Sequence, residues 1–179
     1  KKNQKLDNPV LTPTTKSDEH DHPITPQEIV AEKVVPEALW NEMADTALKL
    51  FARGQEIALS RGLILVDTKY EFGLDGNGKL TLIDEIHTPD SSRYWKAESY
   101  AERLEKGEEP EYFDKEFLRL WFKEHCDPYK DTVIPEAPRE LVAELSRRYI
   151  EIYEMITGKP FEHDFDTPVI ERITKNLKK

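Results

Sequence analysis

The sequence predicts an α+β domain, an antiparallel β-sheet with covering helices, and three observations carry that reading. Two β-rich runs, residues 63–73 (LILVDTKYEFG) and 79–87 (KLTLIDEIH), flank Leu74-Asp75-Gly76-Asn77-Gly78, where both Asp-Gly and Asn-Gly are strong hairpin turns. Stretches on both sides repeat apolar residues every three or four positions, the period of a helix with one buried face. The 179 residues are 37% hydrophobic and 35% charged, with seven Tyr, seven Phe and three Trp, which suits one polar-surfaced globule and not a disordered chain.

The elements follow in order. Residues 1–25, rich in Pro, Thr, Asp and His and lacking either hydrophobic period, read as an extended loop segment ahead of a domain over 26–179. Thr25-Pro26-Gln27-Glu28 combines a capping hydroxyl, a first-turn proline and a Glu three residues on, the start of a short helix. From Pro36 to Arg61 the apolar spacing predicts a long helix, ended by Gly62. Beyond the hairpin, helices are predicted over roughly 92–106, 114–125 and 139–157, the last ended by Gly158, and the tail to Lys179 reads as polar with a basic end.

Charge narrows the function. Twenty-six Lys and Arg against 36 Asp and Glu argue against a sequence-independent grip on nucleic acid or an anionic bilayer. No run of eighteen apolar residues spans a membrane, and the first thirty residues lack the apolar middle of a signal peptide. The single Cys126 has no disulfide partner and reads as a packing residue in a reducing, cytoplasmic setting.

On an extended strand Ile64, Val66, Tyr70 and Phe72 share one face, and Asp67, Lys69 and Glu71 the other. A turn of two or four residues sets Asp84 beside the charged row. With Asn77-Gly78 central, Glu71 faces Asp84; with Asp75-Gly76 central, Asp84 faces Asp67. Two carboxylates so placed repel. Either a hard cation such as Mg²⁺, completed by water and phosphate oxygens, relieves them, or Lys69 neutralises the row and the face is merely solvated. Thr88-Pro89-Asp90-Ser91-Ser92-Arg93 enters the next predicted helix, where hydroxyls, free amides and Arg93 suit a phosphate monoester or simply cap the helix. His20, Asp21 and His22 permit a transition-metal site but equally a polar loop, and His87, His125 and His163 stand isolated.

The strings LILVDTKYEFG and LIDEIHTPDSSRYW, with LTPTTKSDEHD upstream and YFDKEFLRLWF and IPEAPRELVAELSRRYIEIYEMITG downstream, closely resemble the SAICAR synthetase family of purine biosynthesis. The resemblance implies the C-terminal portion of that kinase-like and ATP-grasp-like architecture, with residues 1–25 an active-site loop. It implies ATP-dependent joining of L-aspartate to the carboxylate of the aminoimidazole ribonucleotide CAIR through an acyl phosphate, with ATP and Mg²⁺ as cofactors. By the same resemblance Glu71 and Asp84 are the Mg²⁺-associated carboxylates and Asp67 and Lys69 face the ribonucleotide. Asp90, Ser92 and Arg93 form its binding segment. Lys16 and Asp21 lie near the nucleotide phosphates and the reacting centre, Asp21 as a proton acceptor. The chain opens on Lys1-Lys2-Asn3 and has only seven glycines with no phosphate-cradling cluster, so the glycine-rich N-terminal β lobe is expected on a longer protein and required for activity. A homo-oligomer is left open. Another Mg-ATP-dependent kinase or ligase, or a noncatalytic acidic interaction domain, are the competing readings.

Overall fold

The computed structural model describes residues 1–15, 21–113, 115–127, 130–164 and 166–178. Lys16 and His20 lie outside the described residues.

The element order is β1 (Thr14–Thr15), β2 (His22–Pro23), α1 (Pro26–Ala31), α2 (Glu37–Ser60), β3 (Leu63–Thr68), β4 (Glu71–Leu74), β5 (Leu80–Ile83), β6 (Ser92–Lys96), α3 (Ala97–Lys106), α4 (Glu116–His125), α5 (Arg139–Thr157) and α6 (Val169–Leu177). The fold is α+β and antiparallel among its described strands, which divide into three two-stranded ladders: β1–β2, β3–β6 and β4–β5. The capping box at Thr25 and Glu28 forms as the sequence reads it, with each side chain bonded to the other residue's amide. Gly62 and Gly158 take the left-handed conformation that ends α2 and α5.

The core sits where α2 and α5 meet the β3–β6 ladder. Leu63, Leu65 and Tyr94 from the ladder pack with Ala58 of α2, Ile152 of α5 and Phe113, all at most 3% exposed, and Phe51, Met155 and Ile156 close the rim. The two buried residues of α2 are Gly54 and Ala58, small side chains that let the helix approach the ladder closely. Residues 111–113 run along the other edge of β6: the Lys96 amide donates to Glu111 O at 2.9 Å and the Phe113 amide to Tyr94 O at 3.2 Å.

Three expectations change. The run over 63–73 is two strands, not one, because β3 takes β6 as its partner and β4 takes β5. Residues 92–96 are a strand, not the first turn of a helix. Ser92 and Tyr94 alternate inward while Arg93 faces out, a period of two in an aromatic-rich segment, and α3 begins only at Ala97. The polar tail contains α6, whose Ile170, Ile173 and Leu177 recur at helical spacing and lie exposed.

Candidate functional site

The hairpin turn decides the site's register. Asp75 accepts the Asn77 and Lys79 amides on Oδ1, both at 2.9 Å, and its own amide donates to Lys79 O at 3.0 Å. Gly76, Asn77 and Gly78 therefore form a three-residue loop, and Gly78 supplies the left-handed conformation (φ +76°) that such a loop needs at its end. An odd loop inverts the pairing parity expected from a two- or four-residue turn. Glu71 pairs with Ile83, and neither Glu71 nor Asp67 faces Asp84 across the ladder. Asp84 lies one residue past β5 in a left-handed conformation, φ +71°.

Lys69 gathers the acidic groups instead. Its ammonium is 2.5 Å from Glu71 Oε1. That bond, with the further fields of Asp21 and Asp84, holds the Lys69 pKa above its ordinary value, so it remains a cation. The Lys69–Glu71 ion pair neutralises part of the charged row. Among the described residues no three His, Cys, Asp or Glu side chains converge as metal ligands, and His20 of the His20, Asp21 and His22 reading lies outside them. The donors near Lys69 are hard carboxylate oxygens, a set that suits a cation held by one or two protein ligands and otherwise by water and phosphate.

A β-bulge aims the second pair. Leu65 opposes Tyr94, but the next paired residue on β3 is Asp67, opposite Arg93. The extra residue, Val66, carries Asp67 off the buried face of Leu63 and Leu65 and onto the outer face of Arg93. Arg93 Nε donates to Asp67 Oδ1 and Oδ2 at 3.0 and 2.9 Å, with Nη2 also on Oδ2, a forked ion pair. Ser92 turns inward, 4% exposed, and shares a 2.8 Å hydrogen bond with the Thr68 hydroxyl. With β6 in place of a helix start, free helix amides are not available at Asp90–Ser92. The Ser92 amide donates to Thr88 O at 2.9 Å.

The segment 84–91 adds further charged and titratable groups. Asp90 is ion-paired with Lys115, just ahead of α4, which keeps the Lys115 pKa above its ordinary value. Burial, then the charges of Asp90 and Asp84, push the Glu85 carboxyl up. His87 is half-buried and its pKa is lowered by that burial, so the imidazole is favoured as neutral; burial likewise pushes the Tyr70 and Tyr94 hydroxyls up to about 12. Lys115, Tyr70 and His87 are the site residues that sequence reasoning missed. Their partners are 17 to 25 residues away, and no local period announces the pairing.

A family model described as SAICAR synthetase matches residues 1–136. The phosphoribosylaminoimidazole-succinocarboxamide synthase of Legionella pneumophila (strain Paris) is 58% identical over 180 residues, covering 100% of this chain and 58% of that one. The chain thus spans little more than half the length of this relative. A solved SAICAR synthase from Saccharomyces cerevisiae complexed with SAICAR is 36% identical, with a TM-score of 0.70 over 89% of this chain and 50% of that one. A SAICAR synthetase solved in complex with ADP is 29% identical, with a TM-score of 0.63 over 88% of this chain and 55% of that one.

Proposed function

The chain belongs to the SAICAR synthetase family, and from that premise we propose that it forms part of an ATP-dependent ligase, joining L-aspartate to the carboxylate of CAIR to give SAICAR, ADP and phosphate. The observation that carries the reading is one cation, Lys69, among Glu71, Asp84 and Asp21, with the Asp67–Arg93 pair on the adjoining strand. The solved relatives complexed with SAICAR and with ADP support the substrate class. Among the described residues no helix is long and apolar enough to cross a membrane, and we assign the protein to the cytoplasm.

The chemistry is activation followed by aminolysis. A CAIR carboxylate oxygen attacks the γ-phosphorus of ATP and ADP leaves. The aspartate amine then attacks the acyl carbon, phosphate leaves, and the amine gives up a proton. Both steps gather negative charge on oxygen, and fixed cations lower such barriers by stabilisation and alignment. Lys69, kept protonated, meets the reacting carboxylate, and Asp67 orients the ribonucleotide beside it. Arg93 engages its phosphate through the forked geometry that suits phosphoryl oxygens, with Asp90 and Ser92 on the same segment. Asp21 accepts the amine proton. Lys16, outside the described residues, is assigned to the nucleotide phosphates. The oxygen donors of Glu71 and Asp84 fit Mg²⁺, which when bound neutralises charge on the transferring phosphoryl group. Residues 1–25 serve as an active-site segment of the domain formed by 26–179.

The test uses the intact protein. ADP release is expected only when CAIR and aspartate are both present, and Glu71→Gln abolishes it. ADP release that accepts another substrate in place of CAIR supports a different kinase or ligase. No Mg-ATP or ribonucleotide binding by calorimetry supports a noncatalytic domain.

A further inference from the structure

Two hydrogen bonds join the segments that carry the charged groups, one from the Lys69 amide to Ser91 O at 3.2 Å and one between the side chains of Tyr70 and His87. Tyr70 stands between Lys69 and Glu71 in the chain, at the break between β3 and β4, and its side chain is half-buried while Lys69 reaches outward. His87 stands between Asp84 and Asp90. The Tyr70 hydroxyl and His87 Nε2 are hydrogen-bonded, with the rings edge to face and their centroids 5.5 Å apart. Two further contacts fix His87. The Tyr94 hydroxyl donates to its carbonyl at 2.7 Å, and its imidazole lies so close to Gly54 of α2 that a Cβ there would stand 2.3 Å from Cε1.

His87 and Asp84 both have positive φ, +55° and +71°. Non-glycine residues keep such conformations where their surroundings over-determine them. The surroundings of His87 are the three contacts just named, and only two residues separate it from Asp84.

We propose that His87 is a positioning residue, clamping residues 84–91 to Tyr70 and α2 so that Asp84 and Asp90 stand in register with Lys69 and Glu71. It acts through the loop and touches neither substrate nor nucleotide. The catalytic part of this claim rests on the ligase reading; the structural part does not.

The experiment compares three variants of the intact protein. His87→Leu removes the polar contact, Tyr70→Phe removes only one hydroxyl, and His87→Gln keeps a polar atom toward Tyr70. For each, kcat and KM for ATP, CAIR and aspartate are measured with amide hydrogen exchange over 84–92. His87→Leu and Tyr70→Phe are each expected to lower kcat about 10- to 100-fold, the scale of misplaced reacting groups. They also speed exchange over 84–92, the double variant falls no further than the worse single one, and His87→Gln recovers most of the loss. Wild-type kinetics with unchanged exchange in Tyr70→Phe and His87→Leu overturn the proposal, even if both melt at lower temperature. If the wild-type protein shows no ligase turnover, the ligase reading fails and exchange alone decides. Faster exchange in both variants, restored by His87→Gln, upholds the clamp, and unchanged exchange overturns it.

Discussion

The ammonium of Lys69 rests 2.5 Å from the carboxylate of Glu71, whose side chain is only 21% exposed, so the cation of the site already holds the oxygen assigned to Mg²⁺. Lysine and metal compete for one ligand, and each disfavours the other electrostatically. Lys69→Gln is therefore expected to tighten Mg²⁺ binding measured by calorimetry without nucleotide. It also lowers kcat by about 10²- to 10³-fold, the usual loss when a donor to developing negative charge is removed. Weaker Mg²⁺ binding in the variant would show that Lys69 does not contend for Glu71.

Asp67 and Arg93 form a pair whose value is geometric. Both side chains are about half exposed, and exposed ion pairs contribute roughly 0–1 kcal/mol to stability. Arg93→Lys keeps the charge but loses the fork, so the melting temperature should barely move. KM for CAIR should rise about tenfold or more, because one charge-assisted hydrogen bond is worth about 1.5–3 kcal/mol. An unchanged KM would remove Arg93 from the ribonucleotide site.

The legibility of these features follows their range in sequence. Helix ends at Thr25, Gly62 and Gly158 are written in one or two residues, and the sequence reading places them where the structure has them. The existence of the hairpin is equally local. Its register is not: parity turns on whether Asp75 pairs with Lys79, a choice made by an Asx turn and one left-handed glycine, and it moved Asp84 away from Glu71. The pairing of β3 with β6 joins segments about 30 residues apart, and the bulge at Val66 has no sequence mark, so neither the strand at 92–96 nor the burial of Leu63 and Leu65 in place of Ile64 and Val66 could be read. The family was nevertheless legible by motif, since a resemblance depends on residue identity and not on register.

Gly54 offers a test in which two effects oppose. Alanine in a helix interior is favoured over glycine by about 1 kcal/mol. Here the added Cβ would lie 2.3 Å from His87 Cε1 and 2.8 Å from Leu65 Cδ2, and Leu65 is fully buried and cannot retreat. Overpacking of this kind costs about 1–3 kcal/mol, so Gly54→Ala should match or exceed the propensity gain and destabilise on balance. Urea denaturation measures the difference. A more stable variant would mean that α2 is not pressed against His87 as the structure has it.

Acid stability separates His87 from the carboxylates. Its folded pKa lies below the ordinary 6.5 because burial disfavours the charged ring. Above 6.5 both folded and unfolded chains carry the neutral imidazole and nothing changes with pH. As pH falls below 6.5 the unfolded chain takes up a proton first, so it is favoured and stability declines until the folded pKa is reached. The carboxyls of Glu28, Glu109 and Glu144 are held below 4.5, by Thr25, by Lys2 with Asn3, and by Arg147 with Arg148. They contribute stability that is present above 4.5 and lost as pH falls through their lower folded values. Between about pH 6.5 and pH 5 the His87 contribution to the urea midpoint should therefore fall, while Glu85, whose folded pKa is raised above 4.5, opposes it increasingly toward the acid end. In His87→Gln, which cannot take up that proton, the fall should be visibly shallower, and an equal slope in the two proteins would show that His87 does not lie in the desolvated setting between Tyr70 and Gly54.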